Sequence, residues 1–132
     1  MRKRTSKPPE PAALHELEAE VMDEVWRREE ASVREIMEAL NTVVLRQRAY
    51  TTYMTIMVRL EGKGMLKRRR EGKTDYYRAV YAREQYADMR AGSEVDSIVD
   101  RFGEVALAHI ARQMAQLDPQ RRRALERLAR GK

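Results

Sequence analysis

The stretch Tyr50 to Leu60, YTTYMTIMVRL, holds the residues whose types and spacing best suit chemistry. Wound as a helix, it places Arg48, Thr51, Thr52, Thr55 and Arg59 on one face. Ala49, Tyr53, Ile56, Met57 and Leu60 fall on the other, recurring at i, i+4, i+7, i+8 and i+11 as an amphipathic helix requires. Short hydroxyl side chains flanked by arginines suit a helix lying in the DNA major groove, because threonine can donate, accept, or lay its methyl on thymine. The same pattern also describes an ordinary solvated face over a core, so the helix alone leaves both readings open. Thr51, Thr52 and Thr55 are the candidates for base contacts. Arg46, Arg48, Tyr50 and Arg59 are candidates for the sugar-phosphate backbone, together with Arg68, Arg69 and Lys73 of the basic segment after the helix.

Other chemistry finds little support. Cysteine is absent, which removes disulfides, thiolate metal sites and cysteine nucleophiles. His15 and His109 are isolated, so neither a metal cluster nor a Ser/His/Asp set can be assembled by spacing. Gly62 and Gly64 bound a turn and make no phosphate-cradling loop. The expectation is a protein that is not an enzyme and needs no metal or cofactor. No apolar run approaches the ~18 residues that span a bilayer, and the basic start lacks the apolar region of a signal peptide, so a soluble cytoplasmic protein is expected.

Charge distribution says more than its total of +6 over 132 residues. Residues 14–40 carry three bases and nine acids, whereas residues 41–80 carry ten bases and three acids. The positive excess therefore sits on the central helix and the hairpin segment after it, where a phosphate-binding protein needs it.

The elements that must position these residues can be read in order. Residues 1–13 contain four bases and three prolines and read as a flexible basic arm. A first helix over Leu14 to Arg28 turns Leu14, Leu17, Val21, Met22, Val25 and Trp26 to a core and mostly acids to solvent. Glu29-Glu30-Ala31 is a short connection. Ser32-Val33-Arg34-Glu35 is a capping-box pattern opening a second helix with Val33, Ile36, Met37 and Leu40 inward and Asn41 as terminator. Val43 to Leu45 fits a short strand. After the central helix, Gly62-Lys63-Gly64 is a stop, and Met65 to Arg70 and Thr74 to Val80 form a hairpin about Glu71-Gly72-Lys73. Three helices and a basic hairpin, in that order, predict a mainly α winged helix-turn-helix domain over 14–81.

From Arg83 the pattern is helical again. Val95, Ile98, Val99 and Phe102 form one apolar stripe, Gly103 interrupts, and Leu107, Ile110, Ala111 and Met114 form another. Asp118-Pro119 is a helix start leading to Leu125 and Leu128. So short a segment cannot bury these stripes alone. Residues 82–132 are therefore expected to pair with a second copy through Val95, Ile98, Val99, Phe102, Ile110 and Met114, repeating the recognition helix about one DNA turn away. Folding back on the first domain is the alternative.

LEAEVMDEVW (Leu17 to Trp26), SVREIMEALN (Ser32 to Asn41) and YTTYMTIMVRLEGKGMLKRRREGKTDYYRAV (Tyr50 to Val80) make the chain resemble the BlaI/MecI/CopY family of bacterial transcriptional repressors, the penicillinase-repressor family. The resemblance covers most of residues 14–115. It implies a homodimer that binds operator dyads in double-stranded DNA and blocks transcription, with Thr51, Thr52 and Thr55 at the groove and the wing along the backbone. In the penicillinase branch it implies release by proteolysis within the C-terminal helices, linked to a membrane-bound sensor peptidase. The copper branch uses a C-terminal cysteine cluster, which this sequence does not have. Beside the repressor stand two other readings, a winged-helix module for protein contacts and a non-specific nucleic-acid binder.

Overall fold

A computed structural model describes residues 12–42 and 47–131. The basic arm up to residue 11, the strand expected at Val43 to Leu45, and Arg46 lie outside the described residues. The described chain runs α1 (Glu16–Arg28), β1 (Glu30–Ser32), α2 (Val33–Asn41), α3 (Tyr50–Gly62), β2 (Leu66–Glu71), β3 (Thr74–Ala79), α4 (Arg83–Phe102), α5 (Glu104–Ala115) and α6 (Pro119–Ala129). This is the mainly helical, winged helix-turn-helix fold followed by further helices. It divides into two compact units, the first ending at Ala91 and the second beginning at Gly92.

In the first unit, α1, α2 and α3 enclose a core of Val21, Met22, Val25, Ile36, Tyr53, Met57 and Leu60, closed by Met65, Leu66 and Tyr77 of the hairpin region. Each such side chain contributes roughly 1.5–3 kcal/mol on burial. Trp26 packs at the edge of this core, half-buried, and its indole N–H donates to the Tyr81 carbonyl at 2.8 Å. The capping box opening α2 is formed as its sequence implies: Ser32 Oγ accepts from the Glu35 amide at 3.2 Å, and Glu35 Oε1 accepts from the Ser32 amide at 2.9 Å.

Several expectations are corrected. Residues Glu30–Ser32 are not a plain connection but a third strand, pairing antiparallel with β3 so that the sheet order is β1-β3-β2. Ala31, opposite Tyr77, is buried by that pairing. Three residues are too few for an alternating pattern to declare itself. The acids of α1 are not all solvated, since Glu18 and Glu24 are buried. Ala49 leaves the apolar stripe because it is the N-cap of α3, with extended backbone, and it is exposed. Gly62 lies inside the last turn of α3, and the chain reverses at Gly64, whose φ of 82° is the left-handed conformation glycine adopts without strain. The hairpin turn is Gly72-Lys73, two residues between the Glu71 and Thr74 partners, with Gly72 at φ 62°.

In the second unit, Gly103 (φ 60°) breaks the helix before α5. Asp118 caps α6, accepting from the Arg121 amide at 2.8 Å with Pro119 at the first helical position.

Candidate nucleic-acid interface

α3 is fixed from beneath and at its start. Tyr53, Ile56, Met57 and Leu60 are buried, so successive 100° steps turn Thr51, Thr55 and Val58 to the opposite side. Thr51, Thr52, Thr55 and Arg59 are all exposed. The approach to α3 is held by Asn41 at the end of α2. Its Nδ2 donates to the Arg48 carbonyl at 3.0 Å, and its Oδ1 accepts from the Arg48 amide at 3.1 Å. Thr51, Thr52, Thr55 and Arg59, read from the sequence as one helix face, are thus presented on a helix packed into the core, whereas Arg48, expected on the same face, precedes the N-cap Ala49 and lies outside the helix. Arg48 itself is half-buried, its guanidinium 3.9 Å from Glu20 on α1. Tyr50 is exposed, and the Arg34 guanidinium stands 5.9 Å from its ring centroid.

The hairpin presents Arg68, Arg69 and Lys73, all exposed, but two of the three are already partnered. Arg69 makes a forked pair with Glu30 of β1, at 2.9 and 3.0 Å, and reaches Glu71 at 2.6 Å. Arg70 forks onto Asp75 at 2.9 and 3.2 Å. Arg68 lies 3.4 Å from Glu61 and 3.6 Å from Asp75. Hydrogen bonding from Arg69 holds the Glu30 carboxyl below its ordinary range, and Arg70 does the same to Asp75. Arg69 in turn keeps its proton still more tightly than a free guanidinium. A phosphate approaching Arg68 or Arg69 must therefore exchange places with carboxylates. Lys73 and Arg59 take part in none of the ion pairs found among the described residues.

Between the start of α2, the side of α3 and the hairpin runs a groove of about 530 Å³, lined among others by Arg34, Tyr50, Met54, Val58, Arg68 and Lys73. Arg34, Met54 and Val58 were not singled out by sequence reasoning. Met54 and Val58 follow Tyr50 at i+4 and i+8, so a second apolar line on α3, offset from the core stripe, was the available signal.

Within the second unit, Val95, Ile98, Phe102 and Ile110 are exposed and line one apolar cleft of about 590 Å³ together with Val105, Ala106, His109 and Gln113. Val99 and Met114 are half-buried and do not line it. No helix among the described residues is long and apolar enough to cross a membrane. Nor do these residues gather three or more His, Asp or Glu side chains that could hold a metal ion.

Two proteins named "Transcriptional regulator BlaI", from two strains of Mycobacterium tuberculosis, are each 37% identical to this chain over 86 residues. The match takes in 64% of this chain and 59% of each relative, so the chain spans about three fifths of the length of the curated relatives it matches. The sequence profile described as "Penicillinase repressor" matches residues 14–130, which takes in both units, and the chain belongs to the penicillinase repressor family.

Proposed function

We propose that this chain is a sequence-specific transcriptional repressor, acting as a homodimer on pseudo-palindromic operators. In this reading residues 14–81 are the DNA-binding domain, with α3 in the major groove, Thr51, Thr52 and Thr55 at base edges, and the hairpin along the phosphate backbone. Residues 82–132 join two copies through the apolar cleft. The observation that carries the proposal is the pair of faces on α3: threonines held outward on a helix whose other side is locked in the core. Family membership supports it, as does the excess of bases over residues 41–80. Release by a signal, through proteolysis linked to a membrane-bound sensor peptidase, is the part of the proposal that rests on the family resemblance.

The test is selection of bound DNA from a random duplex library at about 0.15 M salt, where weak surface electrostatics is already screened. Recovery of a two-fold symmetric motif is expected. Recovery of DNA without enrichment points to non-specific binding, and recovery of none points to a winged-helix module used for protein contacts.

A further inference from the structure

The threonines are not the whole of the outward face of α3. Val58 is 47% exposed and Met54 is 41% exposed, and they stand one helical turn apart. Val58 shares its column with Thr51 and Thr55, at i+7 and i+3, so the column rises about 10 Å, the length of roughly three base steps. Scattered exposed apolar residues need no explanation. These two are not scattered: they line a groove together with the cations Arg34, Arg68 and Lys73, and its two carboxylates, Glu35 and Asp75, are engaged by the Ser32 amide and by Arg70.

An apolar strip bordered by cations and continued by hydroxyls matches one surface closely. In the major groove, thymine presents a C5-methyl beside hydrogen-bonding edges, with phosphates on either side. We propose that Met54 and Val58 are specificity-determining residues that take the C5-methyl groups of thymine, while Arg34 and Lys73 hold the flanking phosphates. The assignment rests on the DNA-binding reading above. It deepens that reading by dividing the labour on α3: Thr51 and Thr55 exchange hydrogen bonds, and Met54 and Val58 read a methyl that hydrogen bonds cannot sense. A protein of this design discriminates thymine from uracil and from cytosine at the position Val58 faces, even though no hydrogen bond to that base is made by Val58.

The experiment uses the full chain and the duplex recovered by selection. Each thymine of one half-site is replaced in turn by deoxyuridine, which deletes the methyl and leaves the base pair intact. The unaltered protein is expected to bind at least one substituted duplex about three- to five-fold more weakly, the factor that burial of one methyl group supplies. The variant carrying Met54→Ala and Val58→Ala should bind the thymine and deoxyuridine duplexes alike at that position, and Thr51→Ala should still tell them apart. Both replaced residues are exposed, and unchanged urea unfolding will confirm that the variant is folded. Equal binding of every substituted duplex by the unaltered protein overturns the assignment, as does a double-alanine variant that keeps the full discrimination, or a selected motif without thymine. Those three results leave the DNA-binding reading standing. Absence of any preferred duplex removes that reading and the assignment together.

Discussion

The Tyr53 hydroxyl, at the buried side of α3, donates to Asn41 Oδ1 at 2.8 Å, the same oxygen that accepts from the Arg48 amide. One side chain at the end of α2 therefore fixes both the approach to α3 and its rotation about the core. Tyr53→Phe removes one of these bonds and should cost about 0.5–1.5 kcal/mol. Asn41→Ala strips partners from the Arg48 N–H, the Arg48 carbonyl and the Tyr53 hydroxyl together, and should cost more, about 1–3 kcal/mol. Urea midpoints at constant m value will rank the two. The order reverses if the loop before α3 is held by other contacts.

Acid sensitivity arises from a second long-range pair. Lys63 Nζ, in the turn after α3, donates to the buried Glu18 Oε1 at 2.7 Å, and the His15 amide donates to the same oxygen at 2.9 Å. Burial pushes the Glu18 carboxyl up, but these donors outweigh it and hold the carboxyl below its ordinary value of 4.5. The folded state then releases the proton more readily than the unfolded chain. Its contribution is complete above about pH 4.5 and is lost as pH falls through the depressed value. Glu18→Gln should unfold more easily at neutral pH, and its stability deficit relative to the unaltered chain should shrink below pH 4.5. A deficit constant with pH would show that the charge on Glu18 is immaterial.

These pairs mark the border of what the sequence discloses. The stripe of Tyr53, Ile56, Met57 and Leu60 is legible because helical periodicity is local, and so are the Ser32–Glu35 box and the Asp118-Pro119 start, each complete within four residues. Glu18 reads as a solvated acid because its charged partner, Lys63, is 45 residues away. Glu30 reads as part of a linker because its partner Arg69 is 39 residues away and arrives only when the sheet forms. The candidate site divides in the same way. Which residues α3 turns outward is set by spacing, whereas the pairing of the wing arginines with carboxylates of β1, α3 and the hairpin needs the fold.

If Thr51, Thr52 and Thr55 meet base edges, each change to alanine should weaken binding to the selected operator by about 1–3 kcal/mol and leave binding to random duplex nearly intact. Competition titrations with both DNAs measure the difference. Equal losses on both would assign these residues to the backbone or to no contact.

The wing makes a prediction that bare charge counting misses. Lys73→Ala should weaken binding on every sequence and reduce the salt slope by about 0.9, the share of a single neutralised phosphate. Arg69→Ala should do less than Lys73→Ala, because Arg69 must first leave Glu30 and Glu71. By the same reasoning Glu71→Gln should strengthen binding to all duplexes, since it frees one arm of that guanidinium for phosphate. Binding titrations from 50 to 200 mM salt test all three. An Arg69→Ala loss larger than that of Lys73→Ala would show that the carboxylates orient the arginine for DNA and do not compete with it.

The apolar cleft of the second unit carries the last prediction. Ile98 and Phe102 are 41% and 57% exposed, so a polar replacement at either costs the isolated chain little packing. In a dimer closed through this cleft, Ile98→Asp or Phe102→Asp places a carboxylate without a partner between two apolar surfaces, and the unpaired buried charge disfavours association strongly. Sedimentation should shift from twice the chain mass to the chain mass, with helical content largely retained. Binding to an operator dyad should fall steeply as well, because two half-sites then have to be occupied by separate molecules, while binding to a single half-site should change little. A variant that keeps the dimer mass would move the interface to other surfaces. One that loses the dimer but keeps full affinity for the dyad would show that the two recognition helices act independently.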